Sequence, residues 1–280
     1  TGTKTGAVGM YTKIGKIINT GTINVNNSTH IGMYAEGSGN TVANGNIINL
    51  NVNNSTGIFV KDGAKAELNI GNTINFIPGT SDSLGVFAHK GEVEFKDNIL
   101  FSNNNENKNI YVYGKDATVG IDAGKIVTVD GVGTPATAGN KTVGIYLENE
   151  ATGSTFTSNT TGQLIVKNEA VGIYSKGNNT LNVNVTAIGE KTTGVFIDGG
   201  STITGTVTAR GASGVGAVGV YGSGGAVTIG AGGLTLNTDL DKGTGMYLAD
   251  GAYASGGKIT VDNTATVDNI GVYYSKGTAS

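Results

Sequence analysis

The chain of 280 residues contains no cysteine and only two prolines, and Asp, Glu, Lys and Arg together make up 14% of it. Without cysteine there is no disulfide framework, no thiol nucleophile, no zinc–thiolate site and no iron–sulfur cluster. The formal net charge of −3 comes without any basic stripe, so phosphate neutralisation, and with it a nucleic-acid partner, is excluded. No apolar run approaches the roughly 20 residues that cross a bilayer. No signal-peptide pattern opens the sequence. Helix formers are sparse, whereas Val, Ile, Thr and Tyr abound, which favours strands. The 48 glycines accompany a 38% hydrophobic content that alternates with polar residues, the pattern of a folded β protein rather than of a disordered chain.

What is present is a repeat. A tripeptide of glycine, an aliphatic residue and an aromatic ring recurs, as in Gly32-Met33-Tyr34, Gly57-Ile58-Phe59, Gly144-Ile145-Tyr146 and Gly245-Met246-Tyr247, with a degenerate copy at Asn109-Ile110-Tyr111. Eleven copies run from end to end, spaced mostly in the low to middle twenties, so residues 1–280 read as one continuous solenoid without a domain boundary. Each repeat divides into three short alternating runs separated by Gly, Asn, Asp or Ser, for example 30–35, 40–43 and 46–52. Three strands and three bends per repeat predict an all-β parallel β-helix of about eleven rungs. At the inter-strand distance of about 4.8 Å the rod is about 50 Å long. Neither end has the atypical repeat that usually caps a solenoid, so the expectation is a segment of a longer protein. It is expected to be monomeric, with unpaired strand edges only at the two ends.

Alternation assigns the faces. In Val143-Gly144-Ile145-Tyr146-Leu147-Glu148 the aliphatic residues share one side, which is predicted to face inward. Gly144, Tyr146 and Glu148 share the other, so each ring is expected to lie outside across its own glycine. The opposite phase, rings inside, is the weaker alternative. Asparagine forms a second ladder: Asn24-Val25-Asn26-Asn27-Ser28-Thr29 recurs as Asn51-Val52-Asn53-Asn54-Ser55-Thr56, expected to turn corners and to bond amide to amide between coils. The sequon at Asn27 is read as incidental.

These runs, together with Asn-Gly-x-Ile and Gly-Thr-Ile-Asn-Val segments, resemble the passenger repeats of large fusobacterial autotransporter adhesins. The resemblance covers essentially the whole chain and is one of repeat style. It implies a right-handed β-helix, exported through a C-terminal outer-membrane barrel and displayed on the bacterial cell surface. It also implies attachment to host cells, through a glycan or a receptor, or coaggregation with partner bacteria.

Candidate contact residues follow from exposure and irregularity. The outward column comprises Tyr11, Tyr34, Phe59, Phe87, Tyr111, Tyr146, Tyr174, Phe196, Tyr221, Tyr247 and Tyr273, and such rings stack on sugars as readily as on one another. Because a ring recurs in every rung, the structural role is favoured. Charges follow two residues after the ring, alternating in sign at Lys13, Glu36 and Lys61 and again at Glu148, Lys176 and Asp198, as rung-to-rung ion pairs would. Longer connections fall around 77–83, 102–108 and 130–141, and in solenoids such extensions often project from one edge and bind. The ligand-binding candidates are therefore Tyr111, Tyr113, Thr134, Asn140 and Tyr146. His30 and His89 are lone, and no two acids stand adjacent on one face of a rung. Gly222-Ser223-Gly224-Gly225 lacks the following helix of a phosphate loop, and tandem calcium nonapeptides do not occur. No catalytic residue, metal or cofactor is expected. Three readings remain open: an adhesin passenger segment, a stalk that projects a binding region located elsewhere, and a carbohydrate-active β-helix enzyme.

Overall fold

The computed structural model describes residues 6–76, 81–103, 109–131, 142–158, 161–211, 216–239, 242–263 and 269–275. Every described element is a strand. Eleven of them form one sheet: Val8–Thr12, Ile31–Glu36, Thr56–Lys61, Leu84–His89, Ile110–Lys115, Val143–Glu148, Val171–Lys176, Thr193–Asp198, Val218–Ser223, Thr244–Ala249 and Ile270–Tyr274. Each opens one coil, numbered here one to eleven, and each pairs in parallel only with the coil before and the coil after. A parallel β-solenoid results.

The aliphatic phase is inward, as predicted. Met33, Ile58, Val86, Val112, Ile145, Ile173, Val195, Val220 and Met246 form one column with no exposed surface. The corresponding Met10 and Val272 of the end coils are only partly buried. The sealed interior therefore amounts to about nine turns, slightly fewer than the eleven rungs expected, because each end coil lacks a neighbour on one side. Coil three shows how a turn is filled. Ile58 and Val60 enter from the first face, Ala66 and Leu68 from the second, Ile74 and Phe76 from the third. Each large aliphatic or aromatic residue so buried contributes about 1.5–3 kcal/mol.

The other two faces change character along the rod. In coils one to three the third face is a separate three-stranded sheet made of Ile23–Val25, Ile47–Leu50 and Thr73–Phe76. In coils seven to nine the second and third faces fuse, because Asn179–Ile188, Ser201–Arg210 and Ala226–Asp239 run unbroken along both. The sequence divides every repeat into three runs; these three strands correct that division. Their alternation, as in Thr180-Leu181-Asn182-Val183-Asn184-Val185, contains no residue that forces a corner.

The glycine column also departs from expectation. The burial pattern of the first-face strands places glycine and the aliphatic residue after it both inside. A Cβ at Gly57 would lie 2.6 Å from the carbonyl oxygen of Gly85 and 3.5 Å from Cγ2 of the buried Ile48. Gly32, Gly194, Gly219 and Gly245 repeat this approach at 2.6–2.7 Å. Glycine is needed because successive backbones nearly touch at the corner where the first face begins, not because a ring lies across it.

The asparagine ladder is present in a modified place. Asn49 donates to Asn24 at 2.8 Å and Asn75 to Asn49 at 2.9 Å, but these are strand residues of the third face. Asn51 donates to Asn26 at 2.6 Å just beyond those strands. The corner role belongs to Asn54, whose φ of 55° lies in the left-handed region that asparagine tolerates. Variation in coil length concentrates at one corner, where the third face leads into the next coil, from 168–170 in coil six to 132–142 in coil five.

Candidate functional site

The rings form one column on the outer side of the first face, with centroids 4.8–5.3 Å apart from Tyr11 to Tyr273. Parallel in-register pairing is the cause, since each ring stands directly above its equivalent at the strand spacing. Most neighbours are stacked. Two pairs turn edge-on instead, Tyr34–Phe59 at 69° and Tyr113–Tyr146 at 85°.

Tyr113, not Tyr111, is the fifth member of this column. Phe87 pairs with Tyr113 and Tyr113 with Tyr146. Tyr111 falls where other coils have glycine and points inward, with 1% of its surface exposed. Its ring lies flat on Phe101 at 4.3 Å and edge-on to Phe76 at 4.9 Å. The Tyr111 hydroxyl has no hydrogen-bond partner among the described residues, and burial pushes it far above the usual tyrosine range, with Asp130 adding to the shift. Burial removes Tyr111 from any outer contact surface. Of the other candidates, Tyr113 and Tyr146 are half-buried neighbours in the column. Thr134 and Asn140 lie outside the described residues.

Two positions after the ring runs the row of charges. Glu36, Lys61, His89, Lys115, Glu148, Lys176 and Asp198 are in continuous register. Lys13 and Lys61 flank Glu36 at 3.8 and 3.4 Å, and Lys176 meets Glu148 at 3.4 Å, as the alternation of sign predicts. Asp198 instead accepts from the Tyr174 hydroxyl at 2.9 Å. The same ring-to-carboxylate bond joins Tyr34 to Glu36 at 2.8 Å and Tyr113 to Glu148. It holds Glu36 below its usual range, with Lys13 and Lys61 assisting. Burial together with the bond to Glu148 raises Tyr113. Ring column and charge row are thus one connected surface. The middle of it gathers His89 and Lys115 around Glu150, at 3.3 and 3.0 Å. Behind them the Asp116 carboxylate accepts from the backbone N–H groups of Glu150, Ala151, Thr152 and Gly153, which fixes the longest link between the first and second faces.

A second cluster was not anticipated. On the second face Glu92 and Glu94 stand two residues apart on the same side of one strand, which corrects the expectation that no two acids share a face. Period-two alternation alone could have placed them together. Lys65 bridges them at 3.2 and 2.9 Å, and Lys96 joins Glu94 at 2.5 Å to Asp122 at 3.3 Å. Burial pushes Glu94 up, but hydrogen bonds from Lys96 and Lys65 outweigh it and bring the carboxyl down to about 2. Burial and the bond to Glu94 raise Glu92.

The likeness to known proteins is narrow. A family model described as the BigA third pectate lyase-like domain matches residues 2–71. That stretch spans the first two coils and most of the third. No curated protein and no solved structure matches the chain. The matched coils end before the Glu92–Glu94 pair. Among the described residues there is no group of three or more His, Asp or Glu side chains that could hold a metal ion, and no helix long and apolar enough to cross a membrane.

The Lys65–Glu94–Lys96 cluster has a pH signature. A carboxyl depressed in the folded state stabilises the fold above the unfolded pKa of about 4.5, and that stabilisation disappears as pH falls toward 2. Glu92, raised, contributes with the opposite sign and offsets part of it. Glu94→Gln is therefore expected to cost about 1–2 kcal/mol at pH 7 and almost nothing at pH 2. Urea midpoints of the two proteins at both pH values read this directly; an equal cost at both would place the effect in packing instead of charge.

Proposed function

We propose that the chain is a non-catalytic passenger segment of a bacterial surface adhesin, displayed outside the cell and acting by contact with host cells or with partner bacteria. The observation that carries this reading is the arrangement of the rod itself. A β-helix sealed by apolar columns inside presents a ring on every coil and, as far as coil eight, an ionisable side chain beside it, a fold that suits a surface passenger-type domain. Contact would fall on the middle of that face, where Tyr113 and Tyr146 turn edge-on, with Thr134 and Asn140 of the long coil-five connection as further candidates from the sequence. No cofactor or metal is needed for such a role.

The mutual stacking of the rings and the pairing of the charges favour a second reading, a stalk that spaces a binding region carried elsewhere. The Glu92–Glu94 pair keeps a carbohydrate-active enzyme as a third, but Lys65 and Lys96 occupy its oxygen atoms as structural partners would.

One experiment separates the three. The purified, labelled segment is expected to bind human epithelial cells or oral partner bacteria saturably. Tyr113→Ala combined with Tyr146→Ala is expected to weaken that binding at least tenfold, or about 1.4 kcal/mol, with the circular dichroism unchanged. A folded segment that binds no cell supports the stalk, and reducing-sugar release from mixed polysaccharides would restore the enzyme.

A further inference from the structure

The fused faces of coils seven and eight carry a groove on the side of the rod away from the rings. Thr157, Ser158, Asn182, Val183, Asn184, Gly205 and Thr206 line a cavity of about 430 Å³, within the 300–1,000 Å³ range of small-molecule sites. Its origin is topological. In coil six the second-face strand ends at Ser158 and the third-face strand begins at Gln163, whereas the strands Asn179–Ile188 and Ser201–Arg210 continue unbroken past that level. On the far side, coil nine carries extra residues at Gly230–Gly233, where the register with coil eight shifts. Two continuous strands thus form a floor about 10 Å wide between coils six and nine.

The lining is polar but uncharged. Ser158 is engaged in holding the floor, donating from Oγ to the Asn182 carbonyl at 3.3 Å and accepting from the Asn184 N–H at 2.6 Å. Asn184 donates to the Gly162 carbonyl at 3.0 Å. These bonds leave the exposed Asn182 carboxamide and the half-buried Thr157 and Thr206 hydroxyls without a partner among the described residues. A carboxamide offers a donor and an acceptor side by side, and a hydroxyl offers both in one group. Vicinal hydroxyls of a sugar ring present the complementary pair. Val183, whose side chain is buried in the core, and Gly205 present only main chain at the base of the groove. Among the described residues, no Lys, Arg or His lines the cavity to neutralise an anion.

We infer that this groove is a binding site for an uncharged pyranoside, held by Asn182, Thr157 and Thr206. It deepens the adhesin reading and rests on it for its biological meaning, but its test involves no cells. Amide ¹H–¹⁵N shifts are followed while cellotetraose, maltotetraose and mannotetraose are titrated into the whole segment, with trigalacturonate and an unstructured peptide pool as separate arms. The expected result is a shift confined to residues 157–158, 182–184 and 205–206 for at least one neutral sugar, with a Kd of about 0.1–5 mM. Asn182→Ala with Thr206→Ala should weaken it at least tenfold, and Asn182→Trp, which fills the groove, should abolish it. No shift with any neutral sugar, equal binding of trigalacturonate, or stronger binding of peptide would each overturn the assignment. Cell binding that survives such a result would leave the adhesin reading standing without this groove.

Discussion

Gly172→Val is expected to unfold the middle of the rod. A Cβ at this position would run into Cγ2 of Val166 and lie 2.6 Å from the carbonyl oxygen of Gly194. The first is a fully buried core side chain and the second is backbone held in register by Ile173–Val195 and Tyr174–Phe196, so neither side can yield. Overpacking of a well-filled core costs about 1–3 kcal/mol by itself, and backbone displacement between two coils adds to it. The expected loss is at least 3–4 kcal/mol, at the exceptional end for one substitution. Gly21→Ala is the control, because nothing lies within 4 Å of its Cβ and its φ is ordinary; it should stay within about 0.5 kcal/mol of the parent. Urea denaturation of both compares them on one scale. A tolerated Gly172→Val would mean that the corner is not closely packed and that the column has some other cause.

Tyr111 is expected to behave in the opposite way to a consensus argument. Restoring the repeat with Tyr111→Gly should destabilise the protein by about 3–5 kcal/mol, because it empties a box formed with Phe101 and Phe76. Tyr111→Phe keeps the ring and removes a hydroxyl that is buried without a partner. Relief of that desolvation should stabilise by about 1 kcal/mol. The two variants together distinguish packing from polarity. A stabilising Tyr111→Gly, or a costly Tyr111→Phe, would refute this account of the position.

Most of the architecture was legible because a solenoid repeats each instruction many times. The aliphatic phase could be read from Ile58, Ile145 and Val195 alike, and the alternating charges at Lys13, Glu36 and Lys61 foretold their pairing. Errors arose where a single coil departs from the others. In coil five the strand Ile110–Lys115 holds two aromatic residues and no glycine ahead of either, so the tripeptide could be aligned on either. Lys115 stands two residues after Tyr113, the offset of every other charge in the row, and that signal would have selected the correct ring. The inward turn of the glycines was hidden for a different reason. Strict period two places every second residue on one face, and only the three-dimensional approach of Gly57 to Gly85 reveals that two successive positions face inside. The groove was invisible because it arises where coils seven and eight lack the break between second and third faces that coil six retains.

The pairing of each coil with only its two neighbours has a mechanical consequence. The backbone hydrogen bonds lie along the rod, so a pull applied to its ends loads one interface between coils at a time and peels the terminal coil first. Each coil released would pay out roughly 80 Å of extended chain before the next interface bears the load. A cell tethered through such a rod would see force relieved in successive small steps, and the tether would lengthen under shear while the contact at its far end stayed closed.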